Sequence, residues 1–153
     1  MIEIRKAEFE DLEEILRLQY LAFETRAIEA GTRDIPPLKQ TLDEVKDEFQ
    51  KGLFLKAVDG NRIIGSVRSR EENGTVYIGK LIVHPEYRRN GYGTALLHEM
   101  EKCYPGRRFE LFTGSDDADN LRLYGRNGYS EFCRREVNPY LTFVYLEKEP
   151  EIS

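Results

Sequence analysis

Cysteine, histidine and long apolar runs are all scarce in this chain. The two cysteines, Cys103 and Cys133, lie far apart without C-x-x-C spacing, and they read as a reduced, structural pair. The two histidines, His84 and His98, share no ligand spacing, so no metal is assigned. No apolar stretch approaches the roughly 20 residues that cross a bilayer, so no membrane partner is expected. The opening residues, MIEIRKAEFEDLEEI, are charged from position 3 onward, unlike a secretory signal. The expected location is the cytoplasm. An excess of basic charge is also missing. The formal net charge of -5 disfavours nucleic acid as a partner, although it leaves room for a local basic pocket.

What is present suits one domain. The 153 residues are 40% hydrophobic and 33% charged, enough for a single packed core. Asn73-Gly74-Thr75 matches a glycosylation sequon but reads as a hairpin turn. Ile2 and Ile4 alternate with charged residues as in a half-buried strand. From Glu8 to about Ala30, Leu12, Ile15, Leu16, Gln19 and Phe23 recur at helical spacing, and Gly31 and Pro36-Pro37 then break the chain. Thr41 is a candidate N-cap for a second helix that buries Leu42, Val45 and Phe49 and stops at Gly52. LFLKAV, RIIGSVRSR and TVYIGKLIV follow as a meander with turns at Asp59-Gly60-Asn61 and Glu72-Asn73-Gly74. A helix from about Gly91 to Tyr104, the strand RRFELFT, a helix capped by Asp117 and stopped by Gly128, and the strands YSEFCRREV and LTFVYLE complete the chain. The order β-α-α-β-β-β-α-β-α-β-β predicts a single α+β domain, with a mixed, mostly antiparallel sheet flanked by helices.

HPEYRRNGYGTALL, residues 84–97, joins the strand KLIV to a helix through two arginines and two glycines. The first N–H groups of a helix have no intrahelical partner, and the helix dipole adds partial positive charge there. Gly91 and Gly93 would let a phosphate approach those groups, and Arg88 and Arg89 would add charge and bidentate donors. The alternative is a solvated basic turn. A Walker A loop requires Gly-Lys-Ser/Thr, whereas Thr94 follows Gly93 directly. A dinucleotide fingerprint requires a third glycine where Leu96 stands.

The segment LIVHPEYRRNGYGTALLHEME, followed by NLRLYGRNGY, resembles the GNAT superfamily of acyl-CoA-dependent N-acyltransferases. The resemblance implies that the loop Arg88-x-x-Gly91-x-Gly93, with Arg89, Asn90, Tyr92 and Thr94 between and after, binds the diphosphate of coenzyme A. It implies that Leu81, Ile82 and Val83 pair their backbone with the pantetheine. The second block, Asn-x-x-x-Tyr-x-x-x-Gly-Tyr, falls on Asn120, Tyr124, Gly128 and Tyr129. Tyr124 takes the family's general-acid position, and Asn120 a contact to the cofactor or its loop. Each also has a plainer reading, Tyr124 as a core aromatic and Asn120 as a helix cap.

The implied reaction is acetyl transfer from acetyl-CoA to an amine, without a metal. An amine attacks a thioester, so the site must accept a proton, stabilise an oxyanion and protonate a thiolate. Some relatives carry a glutamate eleven residues before the first arginine of the loop, and here that position is Tyr77. Glu72, Glu110 or a water relay is left to act as base, with the relay ranked first. That departure also leaves open a non-catalytic acyl-CoA-binding module. The acceptor, a small-molecule or peptide amine, is expected near residues 20–40, where Tyr20, Phe23 and Glu24 would suit a cation or merely pack. Chain acidity favours encounter with cationic amines. The family commonly dimerises through its C-terminal strands, so a homodimer is possible.

Overall fold

The computed structural model describes residues 1–150. Strands β1 (Ile2–Lys6), β2 (Leu53–Asp59), β3 (Arg62–Glu72), β4 (Thr75–Val83), β5 (Arg108–Gly114), β6 (Ser130–Asn138) and β7 (Leu141–Lys148) form one sheet. Its spatial order is β1-β2-β3-β4-β5-β7-β6. Every neighbouring pair is antiparallel except β4 and β5. This is the α+β architecture expected from the sequence.

Helices α1 (Leu12–Ala30), α3 (Leu42–Lys51), α4 (Tyr92–Lys102) and α5 (Ala118–Arg126) stand where periodicity places them. The order differs from expectation by three short elements, two 3-10 turns (Phe9–Asp11 and Pro85–Tyr87) and one helix. A short helix, α2 (Pro36–Lys39), begins at the proline pair that the sequence reading treats only as a breaker. Proline lacks the N–H that a first helical residue cannot use, and its φ is already helical, so it starts a turn as readily as it ends one. Thr41 caps α3 through a reciprocal bond with Glu44. Gly31 ends α1 in the left-handed conformation, with φ 74°.

Two apolar clusters cover the two faces. One packs α1 and α3 on the sheet through Leu12, Ile15, Val45, Phe54 and Ile82. The other packs α4 and α5 through Val67, Val76, Ile78, Leu96, Leu111 and Tyr124. In β4 the alternation slips by one residue. Val76 and Ile78 face the α4 cluster, and after Lys80 it is Leu81 and Val83 that pack there, while Ile82 turns to α1. The cause is a β-bulge: Ser66 pairs with Ile82 but Arg68 with Gly79, and Lys80 takes a left-handed φ of 48°. An inserted residue bends its strand and reverses which face each later side chain meets.

Candidate functional site

The bulge has a consequence on the other side of β4. The parallel ladder with β5 holds only at Thr75–Arg108, Val76–Phe109 and Tyr77–Glu110. Beyond that point residues 78–83 and 111–114 no longer pair with each other, and the two strands part. A V-shaped gap in mid-sheet leaves backbone N–H and C=O groups of β4 without a ladder partner. Such groups bind polar ligand atoms wherever an open edge is reachable.

The end of β4 lies beside the mouth of α4, where a Cβ on Gly93 would stand 4.0 Å from Val83 Cγ2. Gly91 is the N-cap with φ 81°, and no side chain caps the helix. The first helical bond runs from the Ala95 N–H to the Gly91 carbonyl, so the Tyr92, Gly93 and Thr94 N–H groups precede the ladder. Asn90 fixes the loop by donating from Nδ2 to the Tyr87 and Arg88 carbonyls, each at 3.1 Å. Arg89 occupies the left-handed region with φ 65° and is exposed. Arg88 is also exposed and donates one Nη2 bond of 3.2 Å to the Ala22 carbonyl of α1. A Cβ at Gly91 would meet no protein atom within 4 Å, so its glycine serves the backbone conformation and the open space above it. The loop is a cradle of donors and positive charge with nothing of the protein filling it.

Tyr124 of α5 belongs to the apolar cluster that includes Ile78 and Leu111, the first residues past the end of the β4–β5 ladder. It is 5% exposed and packs at 5.9 Å between ring centroids against Tyr129. Among the described residues its hydroxyl has no hydrogen-bond partner, yet the single fully buried, partnerless side-chain polar atom is Arg68 Nε. The phenol oxygen therefore keeps contact with solvent. Burial, and then the charge of Asp117, push its pKa well above the ordinary tyrosine value, so the phenol stays protonated. Asn120 is not the helix cap. Asp117 caps α5 by accepting from the Asn120 N–H at 3.2 Å, and the Asn120 side chain reaches Thr113 on β5 at 3.5 Å. Arg26 of α1 pairs with Asp116 at 2.9 Å, tying α1 across the open end of the gap.

On the opposite face the gap opens into a cavity of about 470 Å³. Its wall includes Ile78 and Leu111, which also belong to the Tyr124 cluster, so the gap joins the two faces. Phe54, Tyr77, Phe112 and Tyr145 give it apolar surface. Arg68 is 4% exposed and sits in a buried polar network. Its guanidinium donates to Gln19 at 2.7 Å, Glu48 at 2.9 Å and Gln40 at 3.1 Å. Leaving Arg68 Nε unpaired costs about 1–3 kcal/mol. Glu110 lines this cavity, paired with Arg108 at 2.9 Å. Glu72 does not line it, and pairs with Arg70 near the hairpin tip at 2.6 Å.

Tyr20, Phe23 and Glu24 lie away from this cavity. Tyr20 donates to the Gln40 carbonyl, Phe23 packs on the α1 cluster, and Glu24 pairs with Arg33. Glu24 and Arg33 line a shallower hollow of about 270 Å³. Sequence reasoning missed Arg68 and Lys80. Both carried a signal: a cation directly after the apolar run of IIGSVRS, and a Gly79-Lys80 step where the period-two pattern of β4 slips.

The family model for the acetyltransferase (GNAT) family matches residues 9–129. The chain belongs to the GNAT acetyltransferase family. Among solved structures it is similar to the PaiA N-acetyltransferase of Thermoplasma acidophilum, which was solved in complex with coenzyme A. The two are 21% identical over 97% of this chain and 99% of that one, with a TM-score of 0.80. The ribosomal-protein-S18-alanine N-acetyltransferase of Escherichia coli is 15% identical, with 100% and 96% covered and a TM-score of 0.82. The IAA acetyltransferase of Bacillus cereus is 20% identical, with 97% and 99% covered and a TM-score of 0.72. At these identities the likeness is one of fold. Among the described residues no helix of this GNAT chain is long and apolar enough to cross a membrane.

Proposed function

We propose that the protein is an N-acetyltransferase that moves an acetyl group from acetyl-CoA to the amine of a small molecule or peptide, by direct attack within a ternary complex. The observation that carries this reading is the parting of β4 and β5 between the α4 mouth and Tyr124. The residues fit coenzyme A. The Tyr92, Gly93 and Thr94 N–H groups, with Arg88 and Arg89, would hold the diphosphate, and Asn90 keeps their loop in shape. The open edge of Leu81, Ile82 and Val83 would pair with the pantetheine amides, while Asn120 supports the wall of the gap from Thr113.

Acetyl-CoA supplies an activated acyl thioester. The amine nitrogen forms its bond to the carbonyl carbon, and the carbon–sulfur bond breaks. A freed β4 N–H would meet the carbonyl oxygen as its charge develops. Tyr124 would give its proton to the leaving sulfur. A phenol held protonated by burial is suited to that role, because the thiolate it meets is forming in the same low-dielectric gap. The amine proton leaves through a water relay, with Glu110 the nearer of the two candidate carboxylates to the cavity. Both cysteines are free, which supports the cytoplasm as its location. The edge strand β6, exposed along its length, supports pairing with a second copy.

A panel of amines with acetyl-CoA and a colorimetric thiol readout tests the reading. Release of thiol matched by acetylated amine is the expected result. Coenzyme A binding without turnover on any amine would favour an acyl-CoA-binding module instead, the alternative suggested by Tyr77 at the glutamate position.

A further inference from the structure

The charged groups around the cavity on the α3 face are neutralised pairwise, with one exception. Asp47 pairs with Lys51 at 2.9 Å, Glu48 with Arg68 at 2.9 Å, Arg70 with Glu72 at 2.6 Å, and Glu110 with Arg108 at 2.9 Å. Among the described residues Lys80 has no acidic group within 4.0 Å and no hydrogen-bond partner, although it lines the same cavity and is half-buried. We infer that Lys80, with Arg68 behind it, is the counter-ion for a carboxylate on the acceptor, so that the substrate is an amino acid or a related amine carrying a carboxylate. This rests on the N-acetyltransferase reading and names the acceptor class for the same site.

Three features converge on that anion. Lys80 stands on the bulge with φ 48°, a left-handed conformation that a non-glycine residue adopts at a cost, so its placement is imposed by the fold. Burial, and next the charge of Arg68, depress its pKa, with Glu48 opposing only in part. An anion would relieve both the desolvation and the like-charge repulsion. Arg68 lines the same cavity with its Nε fully buried and unpartnered, so it adds positive field beside Lys80. In an α-amino acid the amine and the carboxylate are separated by a single carbon. A carboxylate held at Lys80, on the stretch of β4 that faces the gap, therefore keeps the amine at the gap. Phe54, Phe112 and Tyr145 offer apolar surface to a side chain.

The overall acidity of the chain points the other way, toward cationic amines. That field acts on encounter, and at physiological salt it is screened beyond roughly 8 Å. Inside a half-closed cavity the nearest charges decide. The unpaired one is positive.

The test compares amino acids with their amides. Thiol release from acetyl-CoA is measured for L-amino acids with aromatic, aliphatic and polar side chains, each beside its amide, which removes the negative charge and keeps the amine. The wild-type protein is expected to favour at least one acid over its amide by about tenfold or more in kcat/KM, as for a charge-assisted contact. In Lys80→Gln that ratio is expected to fall toward unity, and in Lys80→Arg to recover in part. Coenzyme A titration of both variants verifies folding. Amides or simple amines turned over as well as every acid, or a Lys80→Gln variant with the ratio intact, would overturn the inference. Should no amine release thiol, the transferase reading fails separately. The anion subsite is then read by calorimetric titration of the same acids and amides into coenzyme A-saturated protein. Acid-selective binding that is lost in Lys80→Gln sustains it, and no binding overturns it.

Discussion

The two sides of the split sheet are built in different ways. On the α4 side the candidate donor site is made of backbone: an open strand edge, the first N–H groups of a helix, and a glycine whose φ of 81° turns the loop. On the α3 side the cavity is made of side chains, with Arg68, Lys80 and Glu110 among aromatic rings. Backbone chemistry needs glycines at fixed spacing, and spacing is what a sequence displays. Side-chain chemistry needs residues drawn from β2, β3, β4, β5, β7 and α3, and their meeting is a product of topology. The loop is therefore written into one stretch of sequence, and the cavity into the sum of distant positions.

The largest effect is expected in the loop. Gly91→Val is expected to weaken coenzyme A binding by about 100-fold or more, because a left-handed φ costs a β-branched residue roughly 1–2 kcal/mol and its side chain enters the cradle. The protein itself offers no clash, so thermal unfolding should show a folded variant. A Gly91→Val chain that binds coenzyme A normally would remove the backbone site from the account.

The next largest effect falls on Tyr124. Tyr124→Phe is expected to lower kcat by about 100-fold with KM little changed, as for loss of a general acid. Because burial raises the phenol's pKa, loss of activity from its ionisation should appear only above the ordinary tyrosine range, and it should vanish in the phenylalanine variant. A kcat within threefold of wild type, measured by thiol release, would return Tyr124 to the role of a core aromatic.

Arg88 sharpens the contrast between backbone and side-chain contributions. Arg88→Ala is expected to weaken coenzyme A by only about tenfold in calorimetry, since one charge-assisted contact is lost while the N–H groups remain. A loss exceeding that of Gly91→Val would reverse the ranking. The smallest effect is expected at Asp117, whose side chain caps α5 and pairs with Arg26 at 3.7 Å. Asp117→Ala should destabilise the fold by about 1 kcal/mol in urea unfolding.

Much of this fold was legible from its residues. Strand turns at Asn73-Gly74, the N-cap at Thr41, and the stops at Gly31 and Gly128 each announce a local geometry that the structure repeats. Pro36 misled because the same fixed φ serves to start a helix or to interrupt one. The parting of β4 and β5 was not legible, since it depends on a bulge and on where β5 stops pairing, and no residue declares a missing ladder. Gln19 shows the same limit. Its spacing put it in an apolar stripe, and it is indeed fully buried, but as the partner of Arg68 across the core. Arg68 and Lys80 drew no reading from the sequence, because only the fold brings them to one wall.

The most direct measurement is a crystal structure of the protein with coenzyme A. The diphosphate is expected within hydrogen-bond distance of the Tyr92–Thr94 N–H groups, the pantetheine along residues 78–83, and the sulfur in the gap beside the Tyr124 hydroxyl. Coenzyme A bound elsewhere on the chain, or a sulfur on the far side of the sheet from Tyr124, would contradict that placement.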